Sequence, residues 1–447
     1  MNRRTLIPWR NCAACLLGLL LSGCAHYQPR PLPTAPDLTK APDLAVSEKQ
    51  FSLPGLAPHP ISTEGLDATT VMLLAVLNNP DLKAARMEAG VASAQVLQAR
   101  LLPDPQFSVS PAFSALNYGG GLELSEEIQA MITRGATESA ATANEKQVNL
   151  NILWQEWQVA AQAQQLFIQI LGEDHIQRVL NASHSLLEDR YLRDRAAMLR
   201  GDETSVIVAA DLNSVSDSDT SLRLLQTELN LNRHNLNALL GLEPDAELRL
   251  IGPADIPGLT HSQFDAAVAS LPQKRADLLA LQAGYESQEE NLRRAVLAQF
   301  PAMSAGVNLE RDPVEGVNDF GPAVTLTLPI FNRNRGQIAI QRATREVLRQ
   351  TYQARLDATE SEADRVWRTT QILSAQLNDL NTQLPLLEQA AIAAEQSFHQ
   401  DNLNAGLYIN TRSNFLAKQV EAIRLRTSLD TARSDLRVLL GMPFNAP

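Results

Sequence analysis

Two short stretches of alternating residues run directly into a helix-period pattern of extraordinary length. In residues 302–310, Met303, Ala305, Val307 and Leu309 are apolar, while Ser304, Asn308 and Glu310 lie between them. In residues 323–330, Val324, Leu326, Leu328 and Ile330 alternate with Thr325 and Thr327. A period of two describes a strand with one apolar and one wet face. Past Pro329 the period changes. Leu356, Thr359, Ala363, Val366, Thr370, Leu373, Leu377, Leu380, Leu384, Leu387, Ala391, Ala394 and Phe398 follow at spacings of three and four. That is a heptad seam on one long helix.

The same order occurs earlier in the chain, at an offset near two hundred residues. Leu82, Ala85, Ala89, Ala92, Val96 and Ala99 match Leu278, Leu281, Tyr285, Gln288, Leu292 and Ala295. Pro103 matches Pro301. Leu225, Leu229, Leu236, Leu239, Leu240 and Gly241 match Leu425, Leu429, Leu436, Leu439, Leu440 and Gly441. A duplication of this kind constrains the fold more than any single motif.

The duplication divides the chain. Repeat one covers 67–241: a helix over 67–102, strands about 105–113 and 119–128, a long helix from Gly135 to Arg200, a turn at Gly201-Asp202 and a return helix to Leu240. Gly and Pro punctuate a linker over 242–261. Repeat two covers 262–441: a helix over 262–300, strands about 302–311 and 320–330, a long helix over 335–400, a turn near Asp401 to Gly406 and a return helix. Residues 442–447 are a tail. Pro385 is expected to kink the second long helix locally.

The N-terminus reads as a targeting segment. Arg3, Arg4 and Arg10 precede the apolar run Cys12 to Leu21, which is too short to span a bilayer as a helix. Leu21-Ser22-Gly23-Cys24 resembles the lipobox of bacterial lipoproteins. The resemblance implies cleavage after residue 23 and a covalent lipid on Cys24, with Ala25 in place of an inner-membrane retention Asp. An ordinary signal peptide with a chance Cys is the other reading. Cys24 would then be the only mature cysteine, so no intramolecular disulfide and no Cys-based metal site is expected. Removing the three arginines takes the formal charge from −12 to −15, which disfavours nucleic acid as a partner. Residues 24–66 hold eight prolines and are expected to form either an extended arm or a disordered linker.

No nucleotide loop, nucleophile elbow or paired-carboxylate motif is present, so no enzyme activity and no cofactor is expected. The seven histidines have no compact metal-ligand spacing. Glu123, Glu126, Glu127, Asn308, Glu310 and Asp312 read either as residues lining a polar lumen or rim or as ordinary solvated surface.

Taken together, the duplication, the strand–strand–long-helix order, Leu-Leu-Gly at the end of each copy, and the segment Leu328-Pro329-Ile330-Phe331-Asn332-Arg333-Asn334-Arg335-Gly336 resemble the TolC family of outer-membrane efflux ducts, in its lipoprotein branch. The form of that segment resembles members paired with metal-cation pumps of the RND type. The resemblance implies a mainly α fold with a β-barrel portion, in which three chains close a twelve-stranded barrel that continues into a periplasmic helical barrel. It implies a homotrimer, a periplasmic adaptor protein, an inner-membrane RND-type transporter and the lipid of the outer membrane as partners. It also places Gly201, Asp202, Glu203, Asp401, Asn402 and Gly406 at a periplasmic tip, as adaptor contacts or gate. Two ordinary capped helix turns are the other reading of those residues. Independent of the resemblance, four strands cannot close a membrane barrel alone, and an open edge in lipid leaves backbone groups unpaired. The functional expectation is a passive exit duct of a tripartite efflux system. A type I secretion duct, or a lipid-anchored coiled-coil scaffold with no pore, are the alternatives.

Overall fold

The computed structural model describes residues 28–40, 65–113, 118–400 and 402–443. Cys24, the targeting segment and most of the Pro-rich stretch lie outside the described residues, as does Asp401. The chain divides into two units, one ending at Leu38 and one beginning at Thr39. In the first unit, residues 28–38 are exposed and carry no helix or strand. All that follows concerns the second.

Its first helices are α1 (Ala68–Asn78) and α2 (Pro80–Arg100). A single helix over 67–102 was expected, and Asn79-Pro80 breaks it. Proline drives the residue before it out of the helical region, and Asn79 is extended, at φ −51° and ψ 123°. Asn79 then caps α2 by accepting from the Leu82 amide at 3.0 Å, and Asp67 caps α1 through the Thr70 amide at 2.8 Å. Seven consecutive residues of α1, Thr70 to Val76, are buried. A helix apolar on every side belongs inside a core.

Strands β1 (Gln106–Phe113) and β2 (Tyr118–Glu127) follow. Helix α3 (Ile128–Arg200) starts at the residue after β2 and runs for 73 residues without a break, about 110 Å at ~1.5 Å per residue. It begins seven residues earlier than Gly135. Helix α4 (Ser205–Leu239) returns along it. In repeat two, the helix expected over 262–300 is three pieces, α5 (His261–Ala269), α6 (Leu271–Lys274) and α7 (Ala276–Leu297). Pro272 at the start of α6 and extended Arg275 before α7 make the breaks. Strands β3 (Ala302–Arg311) and β4 (Asn318–Thr327) lead to α8 (Arg335–His399) and α9 (Ala405–Leu439). Strand β4 ends three residues before Ile330, because Pro329 offers no amide to a ladder. Helix α8 continues through Pro385 as one element, so the expected kink does not interrupt it.

Helix α3 is the axis of packing. It lies against α1, α2, α4, α7 and α9, and α8 lies against α7 and α9. The heptad seam of α8 is its packed face: Thr359, Ala363, Val366, Thr370, Leu377, Leu380 and Ala391 are buried, and no seam residue is exposed. One core joins α1, the middle of α3, the end of α4 and Ile256 of the linker. A second joins α5, α6, Leu278, the middle of α8 and the end of α9. Residues outside the strands tie into the linker by isolated bridges, Thr39 to Leu242 and Leu66 to Leu250. The linker is clamped from α9. The Asp430 carboxylate accepts from the Ile256 amide at 3.3 Å, and Arg433 donates to the Ile256 carbonyl at 3.0 Å.

Candidate functional site

Two regions among the described residues hold the residues singled out from the sequence. The first is the sheet. Its four strands are antiparallel in the order β1-β2-β3-β4. Register puts Phe107, Leu124, Val307 and Pro322 in one cross-strand row and Val109, Leu122, Leu309 and Phe320 in the next. Cross-strand partners share a face, so these rows and Val324 and Leu326 form one apolar surface. It is not covered: Phe107 is 64% exposed, Phe320 75% and Val324 66%. The opposite face carries Ser108, Glu123 and Asn308 in one row and Ser110, Gly121, Glu310 and Asp319 in another. Glycines let the strands approach closely. A Cβ on Gly306 would overlap the Leu124 carbonyl and the Ser125 Cα.

Of the six polar residues singled out from the sequence, Glu123, Glu127, Asn308 and Glu310 lie on the polar face. Glu126 does not. It pairs with Ala305, which puts it at the helix-proximal end of the apolar face. Asp312 lies in the β3–β4 turn, where its carboxylate accepts from the amides of Val314 and Glu315 at 2.5 and 3.0 Å. The turn uses it structurally.

The second region is the far end of the long helices, where the two hairpins turn. Gly201 ends α3 in a left-handed conformation, φ 85°. Its amide and that of Asp202 bond back to Met198 and Ala197 at 3.0 and 2.9 Å, a glycine C-cap. Asp202 pairs with Arg200 at 3.1 Å, and Glu203 accepts from the Thr204 amide at 2.9 Å. In the second hairpin, Asn402 donates its amide to Ser397 at 2.9 Å, and Asn404 caps α9 through Leu407 at 2.8 Å. Gly406 is therefore not in the turn. Asn404 starts the helix early, and Gly406 is its second residue.

Just above the turns, the hairpins meet through residues of which the sequence singled out Phe398 alone, as the end of the seam. Arg190 of α3 approaches Asp211 of α4 at 2.8 Å and Asp194 at 3.6 Å. Its Nη1 donates to Asn410 Oδ1 of α9 at 3.3 Å. Burial, with Asp194 alongside, pushes the Asp211 carboxyl up to about 6 against the pull of Arg190. Arg193 lies over the Phe398 ring at 5.9 Å, and Phe398 stacks on Tyr408 at 5.0 Å. Further along the first hairpin, Glu173 accepts from Asn232 at 2.6 Å. Burial raises its carboxyl to about 7 in spite of that bond, helped by Glu228 and Asp174. For the pairs within the first hairpin, Arg190–Asp211 and Glu173–Asn232, the signal that could have found them is spacing: partners lie at nearly equal distances either side of residue 201.

Among the described residues, no group of three His, Cys, Asp or Glu side chains is placed to hold a metal ion. No described helix is long and apolar enough to cross a membrane.

No protein-family model matches the chain, and no curated protein matches it. Solved structures do. The outer membrane protein VceC of Vibrio cholerae is 18% identical, covers 85% of this chain and 97% of its own, and superposes with a TM-score of 0.69. The Campylobacter jejuni CmeC outer membrane channel is 15% identical over 95% of this chain and 96% of its own, with a TM-score of 0.68. CusC, described in terms of folding and transmembrane channel formation, is 16% identical over 92% and 99%, with a TM-score of 0.66. At these identities the likeness establishes the fold, which is that of TolC-like outer-membrane channels.

Proposed function

We propose that the chain is an outer-membrane exit duct of the TolC family, working passively and without enzymatic chemistry. One observation carries this reading: a four-stranded sheet with an uncovered apolar face, a polar opposite face and two edges unpaired among the described residues, leading into helices about 100 Å long. Exposed rows of Phe, Val and Leu in water would invite aggregation. In a bilayer they are solvated by acyl chains. Unpaired edges β1 and β4 then become intolerable, since each lone backbone group in hydrocarbon costs several kcal/mol. Copies of the chain satisfy one another by pairing β4 of one with β1 of the next. Three copies give twelve strands, the homotrimer the resemblance implies.

The helices support the same closure. Helix α7 packs on both sides, against α3 and α8. Its repeat-one counterpart α2 packs on α3, and Met87, Val91 and Leu97 on its other side are exposed at 72%, 60% and 62%. At the duplication offset Met87 corresponds to Ala283 and Val91 to Ser287, both buried in repeat two. The face of α2 is thus built to receive α8 of a neighbouring copy. Ile340 and Val347 of α8 are exposed at 58% and 63%.

In this reading Cys24 bears the lipid that tethers the duct to the outer membrane, an adaptor protein meets the tips at Gly201–Glu203 and 401–406, and an RND-type pump supplies the energy. Conductance of the purified full-length chain in planar bilayers, together with a heat-resistant trimer on gels, tests the proposal. A water-soluble monomer with no conductance would leave only a lipid-anchored scaffold.

A further inference from the structure

The two repeats differ where sheet gives way to helix. In repeat one, β2 ends at Glu127 and α3 begins at Ile128. In repeat two, residues 328–334 separate β4 from α8. This inserted junction is uncovered and strained. Leu328 is 59% exposed, Ile330 65% and Phe331 96%. Arg333 and Asn334 both have positive φ, 45° and 53°, a conformation that residues with a Cβ adopt rarely. Asn334 is pinned there, its Nδ2 donating to the Ala295 carbonyl at 2.7 Å. Strain held in place by a neighbouring element is a pointer to use.

In sequence the apolar alternation of Phe320, Val324 and Leu326 runs on through Leu328 and Ile330. In the structure the Ile330 amide bonds to the Leu328 carbonyl at 2.9 Å, so the backbone turns at Pro329 and leaves Leu328, Ile330 and Phe331 uncovered beside the apolar face. Within four residues come Arg333 and Arg335, both exposed, with no ion-pair partner among the described residues. In the cleft under Asn334, Glu127 and Arg294 carry opposite charges, and the junction's own charged residues are the two arginines. An aromatic at the edge of an apolar band, followed by arginines, is the arrangement that suits a bilayer's headgroup level. The ring enters the acyl boundary, and guanidinium groups bind phosphate in a planar fork.

We infer that the 328–335 junction is a docking site for anionic phospholipid headgroups, with Phe331 as the apolar anchor and Arg333 and Arg335 as the phosphate ligands. The inference rests on the reading of the sheet as membrane-embedded and assigns it a lipid preference. The junction lies between β4 and α8, at the seam with the neighbouring copy; the two arginines and the adjoining apolar face favour a lipid there, and cover by that copy would show as an unquenched F331W beside a quenched V324W.

The test uses F331W and, separately, V324W in the full-length protein. Each is reconstituted in vesicles of phosphatidylglycerol and phosphatidylethanolamine, with bromine on the acyl chains of one lipid at a time. With Trp9 replaced by Phe in every variant, the remaining native Trp154, Trp157 and Trp367 lie more than 25 residues into α3 or α8, roughly 40 Å away along the helix, and stay unquenched. Quenching of F331W is expected to be at least twofold stronger by brominated phosphatidylglycerol at equal mole fraction. Adding R333Q and R335Q should keep the quenching and abolish the preference. Equal quenching by both lipids in the F331W protein overturns the headgroup site. So does an unquenched F331W alongside a quenched V324W, an outcome that leaves the duct standing. If V324W is also unquenched, the sheet is not in lipid and both proposals fall.

Discussion

The guanidinium of Arg275 donates to the carbonyl of Leu439 at 2.9 Å, closing the end of the last helix of the second repeat. The first repeat solves the same problem with Asn79, whose Nδ2 donates to Leu239 at 3.2 Å. Each accepting carbonyl lies two residues before a glycine in the left-handed region, Gly241 at φ 66° and Gly441 at φ 63°. Duplication has preserved the geometry while changing the donor, and the larger donor brought a charge inside. Arg275 is 2% exposed. It is balanced by Asp277, bonded at 2.8 and 2.7 Å, and by the ring of Trp154 at 4.6 Å; Arg355 shares the same carboxylate at 2.8 Å.

Removing that charge should be costly. Arg275→Ala deletes a helix-end hydrogen bond and leaves Asp277 buried with Arg355 alone, so a loss of about 3–5 kcal/mol is expected. Arg275→Asn, which copies the first repeat, should recover the bond to Leu439 without the charge partner and fall between. Urea unfolding of the two variants checks the order. The same site governs acid sensitivity. Burial works to raise the Asp277 carboxyl, but the bonds and charges of Arg275 and then Arg355 outweigh it and hold the group below the ordinary carboxylate value. Its stabilisation is therefore complete above the usual carboxylate range and disappears as pH falls through the lowered value. Asp277→Asn should flatten the acid limb of the stability profile.

The opposite sign applies to the first hairpin. Glu173 and Asp211 hold their protons to about 7 and about 6. The folded state thus binds more protons than the unfolded chain between the ordinary carboxylate range and neutrality. Stability contributed by these groups is full at low pH and is lost as pH rises through 6 and 7. Thermal unfolding at pH 5 and pH 8 should show a lower midpoint at pH 8. Glu173→Gln and Asp211→Asn should each reduce the difference, while Asp430 and Asp435, whose carboxyls burial also raises, keep part of it in the double variant.

Close helix packing makes a third prediction. Gly172 of α3 faces Thr427 of α9, and a Cβ there would overlap the Thr427 side chain. Gly172→Ala should destabilise by about 1–3 kcal/mol, the usual cost of overpacking. The double variant with Thr427→Ala should regain part of that loss, because the obstruction is a side chain and not backbone. A double-mutant cycle in denaturant measures the coupling.

Much of this architecture was legible because it repeats. The seam from Leu356 to Phe398 named the packed face of α8 residue by residue, and the matched positions in α2 and α7 are all buried or half-buried. Breaks at Asn79-Pro80 and at Pro272 were written in the sequence too, but the apolar period runs across them and hides them. The tip was harder. Helix turns are fixed by caps, and Asn404, three residues from the turn, set the start of α9 and drew Gly406 into it. Contacts between hairpins, such as Arg190 with Asn410, depend on the relative register of helices 220 residues apart in sequence. Periodicity alone does not supply that register.

That bridge gives the last prediction. Above the turns, the first hairpin holds the second through the Arg190–Asn410 hydrogen bond and through Arg193 over the Phe398–Tyr408 stack. If the duct is gated by the second hairpin moving relative to the first, these contacts exist only in the resting state and oppose opening. A single exposed hydrogen bond is worth about 1 kcal/mol, so Asn410→Ala should raise the ratio of open to closed time roughly fivefold, and Arg193→Ala should add to it. Asn410→Ala is the cleaner probe, since Arg190→Ala also unpairs the buried Asp211. Single-channel recording in planar bilayers measures the ratio, and cysteines that lock neighbouring tips together should abolish export until reduced. Unchanged open times in both variants would place the gate elsewhere in the helical tunnel.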